Sequence, residues 1–225
     1  VERKILIEST ADGSNTLFVP ELDEHYHSIN GAVQESKYVF IEAGLRQCSK
    51  DYVSILEVGF GTGLNALLTL LEAEKSKKYI HYCGVELYPL PIDLIRKLNY
   101  TQDLPLSDQN LYLKLHEADW GINNNITNFF SIIKLAEDFT RLEKNLSDNF
   151  DLIYFDAFAP DKQSEMWTQD IFDLLYSKTT EGGILTTYCA KGIVRRMLQS
   201  AGYIVERLPG PPGKREMLRA VKRDK

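Results

Sequence analysis

The chain has 225 residues, 44% of them hydrophobic and 26% charged, a balance that supports one sizeable core and excludes low-complexity disorder, collagen and small disulfide scaffolds. Its longest apolar stretch, residues 52–71, carries Glu57 and three glycines, which excludes a spanning helix, and no charged segment followed by a short apolar one opens the chain as a secretion signal would. The net charge of −6 is unevenly spread: residues 188–225 hold ten Lys/Arg against three Asp/Glu, and the remainder holds 16 against 29. Local potential rather than total charge steers a polyanion, so the C-terminal segment is a candidate nucleic-acid surface.

Residues 5–19 alternate on either side of Asp12-Gly13-Ser14-Asn15, which predicts a β-hairpin. The polar segment 23–37 contains His25-Tyr26-His27, read as solvated histidines because no further metal ligands accompany them. Residues 38–41 suit either a helix start or a short strand. Residues 1–50 are therefore expected to form an N-terminal extension packed on a core domain of residues 51–225. From residue 52 the pattern is regular. A buried strand, 53–58, runs into a glycine turn and then helical spacing through Leu71. A strand over 80–85 closes at Glu86, and a helix begins at Pro91, where proline is tolerated. Strands follow at 129–135 and 151–155, separated by a short helix through Leu142. A helix over 168–178, a strand over 184–189 introduced by Gly182-Gly183, a helix over 194–201 and two final runs, 203–208 and 216–221, complete the chain. Residues 102–128 fit the alternation poorly and read as an insertion. The fold class is α/β, Rossmann-like, mostly parallel with one antiparallel C-terminal strand and a small N-terminal β extension. Cys48, Cys83 and Cys189 are far apart with no CxxC pair, which suits inert buried thiols in a reducing cytoplasm.

A buried strand feeding a glycine-rich turn and a helix presents free backbone N–H groups and a positive dipole end to a ligand. The spacing selects the ligand. Leu64 stands three residues after Gly61, so no GxGxxG dinucleotide fingerprint is completed, and no Gly-Lys-Ser/Thr follows for a Walker A loop. What stands is Glu57-x-Gly59-x-Gly61-x-Gly63, which resembles motif I of the class I S-adenosylmethionine-dependent methyltransferases. That cofactor carries an ammonium, which an acidic side chain beside the loop would serve, and ribose hydroxyls, which Glu86 at the next strand end can accept. Beyond the third strand Asp138, with Asp119 as its rival, is the candidate for the adenine amino group. Asp156 ends the fourth strand at the edge where open α/β sheets bind ligands. A carboxylate there, followed by Ala157-Phe158-Ala159-Pro160, suits an amine acceptor whose proton must leave.

Asp156-Ala157-Phe158-Ala159-Pro160 with Glu165-Met166-Trp167-Thr168 resembles the DxFAP and [DE]-M-W segments of the methyltransferase domain of bacterial tRNA 5-methylaminomethyl-2-thiouridine biosynthesis proteins and their stand-alone relatives. Gly59 to Asn65 is similar to that family's motif I, Gln34 to Phe40 to its E-[ST]-[RK]-Y-V-F signature, Thr187 to Gly192 with Val194-Arg195-Arg196 to its post-strand segment, and Lys214 to Leu218 to its closing motif. Ser164 departs from the proline usual before the acid-Met-Trp. The resemblance implies methylation of 5-aminomethyl-(2-thio)uridine at the tRNA wobble position, with S-adenosylmethionine as cofactor and tRNA as partner. It implies Asp156 at the acceptor amine, with Glu57, Gly59, Gly61, Gly63, Asn65, Glu86 and Asp138 around the cofactor. Tyr38 and Phe158 become candidates for stacking on a base, and Lys191, Arg195, Arg196, Lys214 and Arg215 for contacting phosphates. The fused FAD-dependent oxidase of the family has no counterpart in these residues, so methyl transfer alone is expected, with the aminomethyl group formed by a separate upstream enzyme. The alternatives are a small-molecule amine acceptor and a non-catalytic cofactor- or RNA-binding module.

Overall fold

The computed structural model describes residues 4–142, 146 and 149–223. Strands β1 (Leu6–Ser9), β2 (Asn15–Val19) and β3 (Glu24–His25) form a three-stranded antiparallel sheet, with the expected hairpin between the first two. Asp12 organises its turn. Oδ1 accepts from Thr10 Oγ1 at 2.7 Å and from Ser14 N at 3.0 Å, and Oδ2 accepts from Gln34 N at 2.9 Å in helix α1 (Ala32–Ser36). Residues Lys37–Glu42 then wind as a π-helical turn, settling the open choice over 38–41 in favour of helix.

The main sheet has eight strands in the order β10-β11-β9-β8-β4-β5-β7-β6. They are β4 (Tyr52–Val58), β5 (Tyr79–Val85), β6 (Asn123–Asn125), β7 (Phe130–Leu135), β8 (Phe150–Phe155), β9 (Thr179–Thr187), β10 (Ile204–Pro209) and β11 (Glu216–Val221). Strands β9, β8, β4, β5 and β7 are mutually parallel, and β11 is antiparallel to both its neighbours. Helices α2 (Leu64–Ser76), α3 (Ile92–Ile95), α4 (Leu106–Glu117), α5 (Gln169–Lys178) and α6 (Gly192–Ala201) cover the faces.

Two-residue periodicity sorts the central strands into two cores. Ile55, Tyr82, Leu152 and Tyr154 pack with α2, α4 and the N-terminal Leu17, Val39 and Phe40. Their neighbours Leu56, Cys83, Ile153 and Phe155 pack with Phe172 and Leu175 of α5 and Val194 and Leu198 of α6. Phe40, fully buried with its ring 5.0 Å from that of Tyr154, contributes about 2–3 kcal/mol by burial and ties the N-terminal segment to the sheet.

Two expectations are corrected. Residues 102–128 are not an insertion: they hold α4, packed on α2, and the edge strand β6, antiparallel to β7. The fifth parallel strand begins at Thr179 rather than Ile184, and Gly182-Gly183 lie inside it, where its register against β8 shifts. All three cysteines are free and buried, and burial pushes the Cys48 and Cys83 thiols up to about 11 and about 12. No described helix is long and apolar enough to cross a membrane.

Candidate active site

Strand order reverses between β4 and β8: the chain runs outward from β4 through β5 to β7, then crosses back from β7 to β8 on the other side of β4, and ligands of open α/β sheets bind outside the carboxyl ends at such a point. A cavity of about 520 Å³ opens there. Its floor is the turn after β4. Gly59 N and Phe60 N both donate to Val85 O at 3.0 Å, which pins the turn to β5. Gly59 (φ +92°) and Gly61 (φ +47°) hold left-handed conformations, and a Cβ on Gly59 would stand 2.6 Å from the backbone oxygen of Asp156. The turn and the end of β8 are therefore in backbone contact. Gly63 caps α2 beneath the cavity, against His116, and does not line it.

Glu86 lines the cavity with both oxygens fixed: Oε2 accepts from Gly61 N at 2.9 Å and Oε1 from Tyr88 N at 2.8 Å. Each oxygen keeps acceptor capacity for a diol. Asp138 also lines the cavity, next to Phe139, and caps a short 3₁₀ turn through Thr140 N at 3.0 Å. Its rival Asp119 does not line it. A glycine turn, a fixed carboxylate and apolar walls from Val85, Leu87, Phe139 and Met166 suit an adenosyl group bearing a short zwitterionic tail. No group of His, Cys, Asp and Glu among the described residues is arranged to hold a metal.

Asp156 lines the same cavity, just past the carboxyl end of β8 and in backbone contact with the glycine turn. Burial pushes its carboxyl up to about 7, with Glu35 adding to the rise, while a hydrogen bond from Asn65 and the nearby Lys214 oppose it. Phe158 lines the wall beside it, edge-on to Tyr26 at 5.1 Å, and Trp167 Nε1 holds the Phe158 carbonyl at 2.7 Å. Trp167 itself is buried in the core.

Several expected site residues lie elsewhere. Glu57 and Asn65 are buried and do not line the cavity; Glu57 Oε1 instead accepts from Asn65 Nδ2 of α2 at 2.8 Å. Tyr38 packs on the core from the π-helical turn rather than facing the cavity. Lys214 turns inward: its Nζ pairs with Glu35 Oε1 at 2.5 Å and lies 3.9 Å from the Tyr188 ring centre, inside the cavity wall. Lys191 is exposed and paired with Asp161, Arg196 and Arg215 are exposed, and Arg195 is half-buried. Of the C-terminal basic run, Lys225 lies outside the described residues.

The sequence reading missed the strap that roofs the site. Leu22, Glu24, Tyr26, His27 and Glu35 come from the N-terminal segment, and Tyr188 from the end of β9. His27 is not solvated: it is buried, its Nε2 is 2.6 Å from Thr62 Oγ1, and burial brings it down to about 4. His25 is half-buried and pairs with Glu8 at 2.9 Å. Alternation could mark the hairpin, but nothing in residues 20–31 signals that they fold back over the glycine turn.

The chain belongs to the S-adenosyl-L-methionine-dependent methyltransferase family, whose model matches residues 101–223. The bifunctional tRNA 5-methylaminomethyl-2-thiouridine biosynthesis protein MnmC of Pseudomonas fluorescens is 34% identical over 88% of this chain and 32% of its own length. That of Pseudoalteromonas atlantica is 30% identical over 96% of this chain and 33% of its own. The chain thus spans about a third of the curated relatives it matches. Among solved structures, MnmC2 from Aquifex aeolicus superimposes with a TM-score of 0.81 at 28% identity, covering 97% of this chain and 70% of that one. Spermidine synthase from Thermotoga maritima (TM-score 0.56, 13% identity, 98% of this chain and 72% of that one) shares the fold.

Proposed function

We propose that this chain methylates the primary amine of 5-aminomethyl-(2-thio)uridine at the tRNA wobble position, in the cytoplasm. The observation that carries the reading is that one cavity is lined by the glycine turn, Glu86 and Asp156 together. The names of the similar proteins supply the tRNA acceptor.

S-adenosylmethionine, when bound, supplies an electrophilic methyl on a positively charged sulfur. Glu86 accepts the ribose hydroxyls, Asp138 faces the adenine end, and Gly59 and Gly61 allow close backbone approach. Asp156 accepts a hydrogen bond from the acceptor amine and takes up the proton that leaves as nitrogen gains the methyl. With its carboxyl near 7, a sizeable fraction is ionised at neutral pH and yet basic enough to receive that proton. Phe158 and Tyr188 form the apolar wall against the pyrimidine, and most of the rate comes from alignment. Arg195, Arg196, Lys191 and Arg215 supply phosphate contacts, whereas Lys214 belongs to the acceptor end of the cavity.

The test is methyl transfer from labelled S-adenosylmethionine to tRNA from cells lacking this activity, with nucleoside mass analysis. The expected product is 5-methylaminomethyl-uridine or its 2-thio form. Asp156→Asn is expected to lower kcat by roughly 10²-fold or more, the scale of a lost general base, with cofactor binding retained. Label in free amines but not in tRNA overturns the acceptor, and full activity in the variant overturns the role of Asp156.

A further inference from the structure

Asn65 is the second residue of α2 and is buried, yet it is not packed among apolar side chains alone. Its Nδ2 lies 2.8 Å from Glu57 Oε1 and 2.8 Å from Asp156 Oδ2. An amide nitrogen carries two hydrogens, and here each is directed to a different carboxyl group. The two carboxyls come from adjacent parallel strands, Glu57 from within β4 and Asp156 from just past the end of β8, where Val58 pairs with Phe155. The nitrogen is therefore clamped from below and donates above to the one residue of the three that lines the cavity.

Two further observations show that this clamp is not incidental packing. Glu57 is a fully buried acid with no ion pair among the described residues, and burial pushes its carboxyl well above the ordinary range. The Asn65 Oδ1 is buried with no hydrogen-bond partner among the described residues, and Glu57 is otherwise faced by the Tyr82 hydroxyl. Buried polar atoms left unpaired cost about 1–3 kcal/mol each, so a purely structural site would be filled more cheaply by apolar side chains.

We propose that Asn65 is a positioning residue: its amide, clamped by Glu57, fixes Oδ2 of Asp156 and so orients that carboxylate towards the acceptor in the cavity. The donated hydrogen bond favours the ionised carboxylate and opposes the proton-retaining influence of burial and Glu35. The charged or titratable groups around Asp156 are Glu57 on β4, Glu35 on α1, Lys214 before β11 and Tyr188 after β9, with Tyr82 and Glu86 on the Glu57 side. Glu35 and Lys214 form an ion pair and largely cancel, which leaves Asn65 as the principal neutral donor.

The inference rests on Asp156 acting in methyl transfer, so its test has a readout that needs no turnover. The Asp156 side-chain carboxyl would be titrated by carbon NMR in the wild type, Asn65→Ala and Asn65→Asp, beside pH profiles of kcat and calorimetric S-adenosylmethionine binding. The expected result is an upward move of the Asp156 midpoint by about one unit in Asn65→Ala, about a tenfold change in proton occupancy, and a larger move in Asn65→Asp. The acid limb of kcat should move with it, so that activity lost at pH 7 is partly recovered at pH 9, with cofactor affinity within about twofold of wild type. Asn65→Asp keeps the side-chain volume and stands in if Asn65→Ala does not fold. An unmoved midpoint, a loss of kcat equal at every pH, or a parallel loss of cofactor affinity each overturn the inference. A moved midpoint with no methyl transfer by the wild type overturns the proposed function and leaves the positioning role standing.

Discussion

At the scale of single residues, the site depends on how closely two backbones approach. Gly59 meets the Asp156 carbonyl, so any side chain there must displace the end of β8 and with it the proposed base. Gly59→Ala is expected to destabilise by about 1–3 kcal/mol, from a left-handed φ and the clash together, and to weaken cofactor binding at least tenfold by calorimetry. Gly121→Ala is the contrast. Its φ is +78° but its Cβ would meet nothing within 4 Å, so a smaller loss of thermal stability and unchanged cofactor affinity are expected. Which residues form the turn was legible in the Glu-x-Gly-x-Gly-x-Gly spacing, and Asp156 was legible as a strand-end carboxylate. The direction each side chain takes was not. Glu57 and Glu86 both belong to strand ends followed by turns, yet one is sealed beneath the floor and the other faces the cavity. A strand's period fixes which residues share a face, not how far from the open edge each one stands.

At the scale of elements, the glycine turn is held from two sides. Tyr112 Oη and His116 Nε2 of α4 donate to the Thr62 carbonyl at 2.7 and 3.0 Å, and Lys134 Nζ holds the His116 carbonyl at 2.7 Å from β7. From the strap, His27 reaches the Thr62 hydroxyl. Burial brings both histidines from 6.5 down to about 4, with Lys134 assisting at His116. A depressed histidine contributes stability that is present above its unfolded value and is lost as pH falls through the folded value. For His116 that window runs from pH 6.5 to about 4 and is worth about 3 kcal/mol. Asp156 and Glu57, raised by burial, act oppositely, so the histidine effect is read as a difference. The thermal midpoint of the wild type minus that of His116→Asn should shrink steadily between pH 6.5 and 4; a constant gap would refute the assignment. The role of α4 was illegible because its twelve residues bury only Tyr112 and Leu115 and leave Leu106 82% exposed, too sparse a stripe to announce a helix.

At the scale of the whole molecule, the charge asymmetry visible in the sequence divides into two kinds of cation. Arg196, Arg215 and Lys191 are exposed, Lys191 in a surface pair with Asp161, while Lys214 is folded into the cavity wall against Glu35. Counterion release makes each phosphate contact worth about one unit in the slope of log affinity against log salt. On the proposed tRNA acceptor, Arg196→Ala and Arg215→Ala should each weaken tRNA binding, flatten that slope by about one and leave kcat at saturating tRNA within about twofold. Lys214→Ala should do the reverse. Its loss exposes the buried Glu35 charge beside Asp156, favours the protonated carboxyl and lowers kcat at neutral pH, while the salt slope stays as in the wild type. Filter binding across 50–200 mM salt, with kcat measured on the same preparations, separates the two kinds. A flattened slope in Lys214→Ala would return that residue to the phosphate-contacting surface, where its place in the sequence had suggested it belonged.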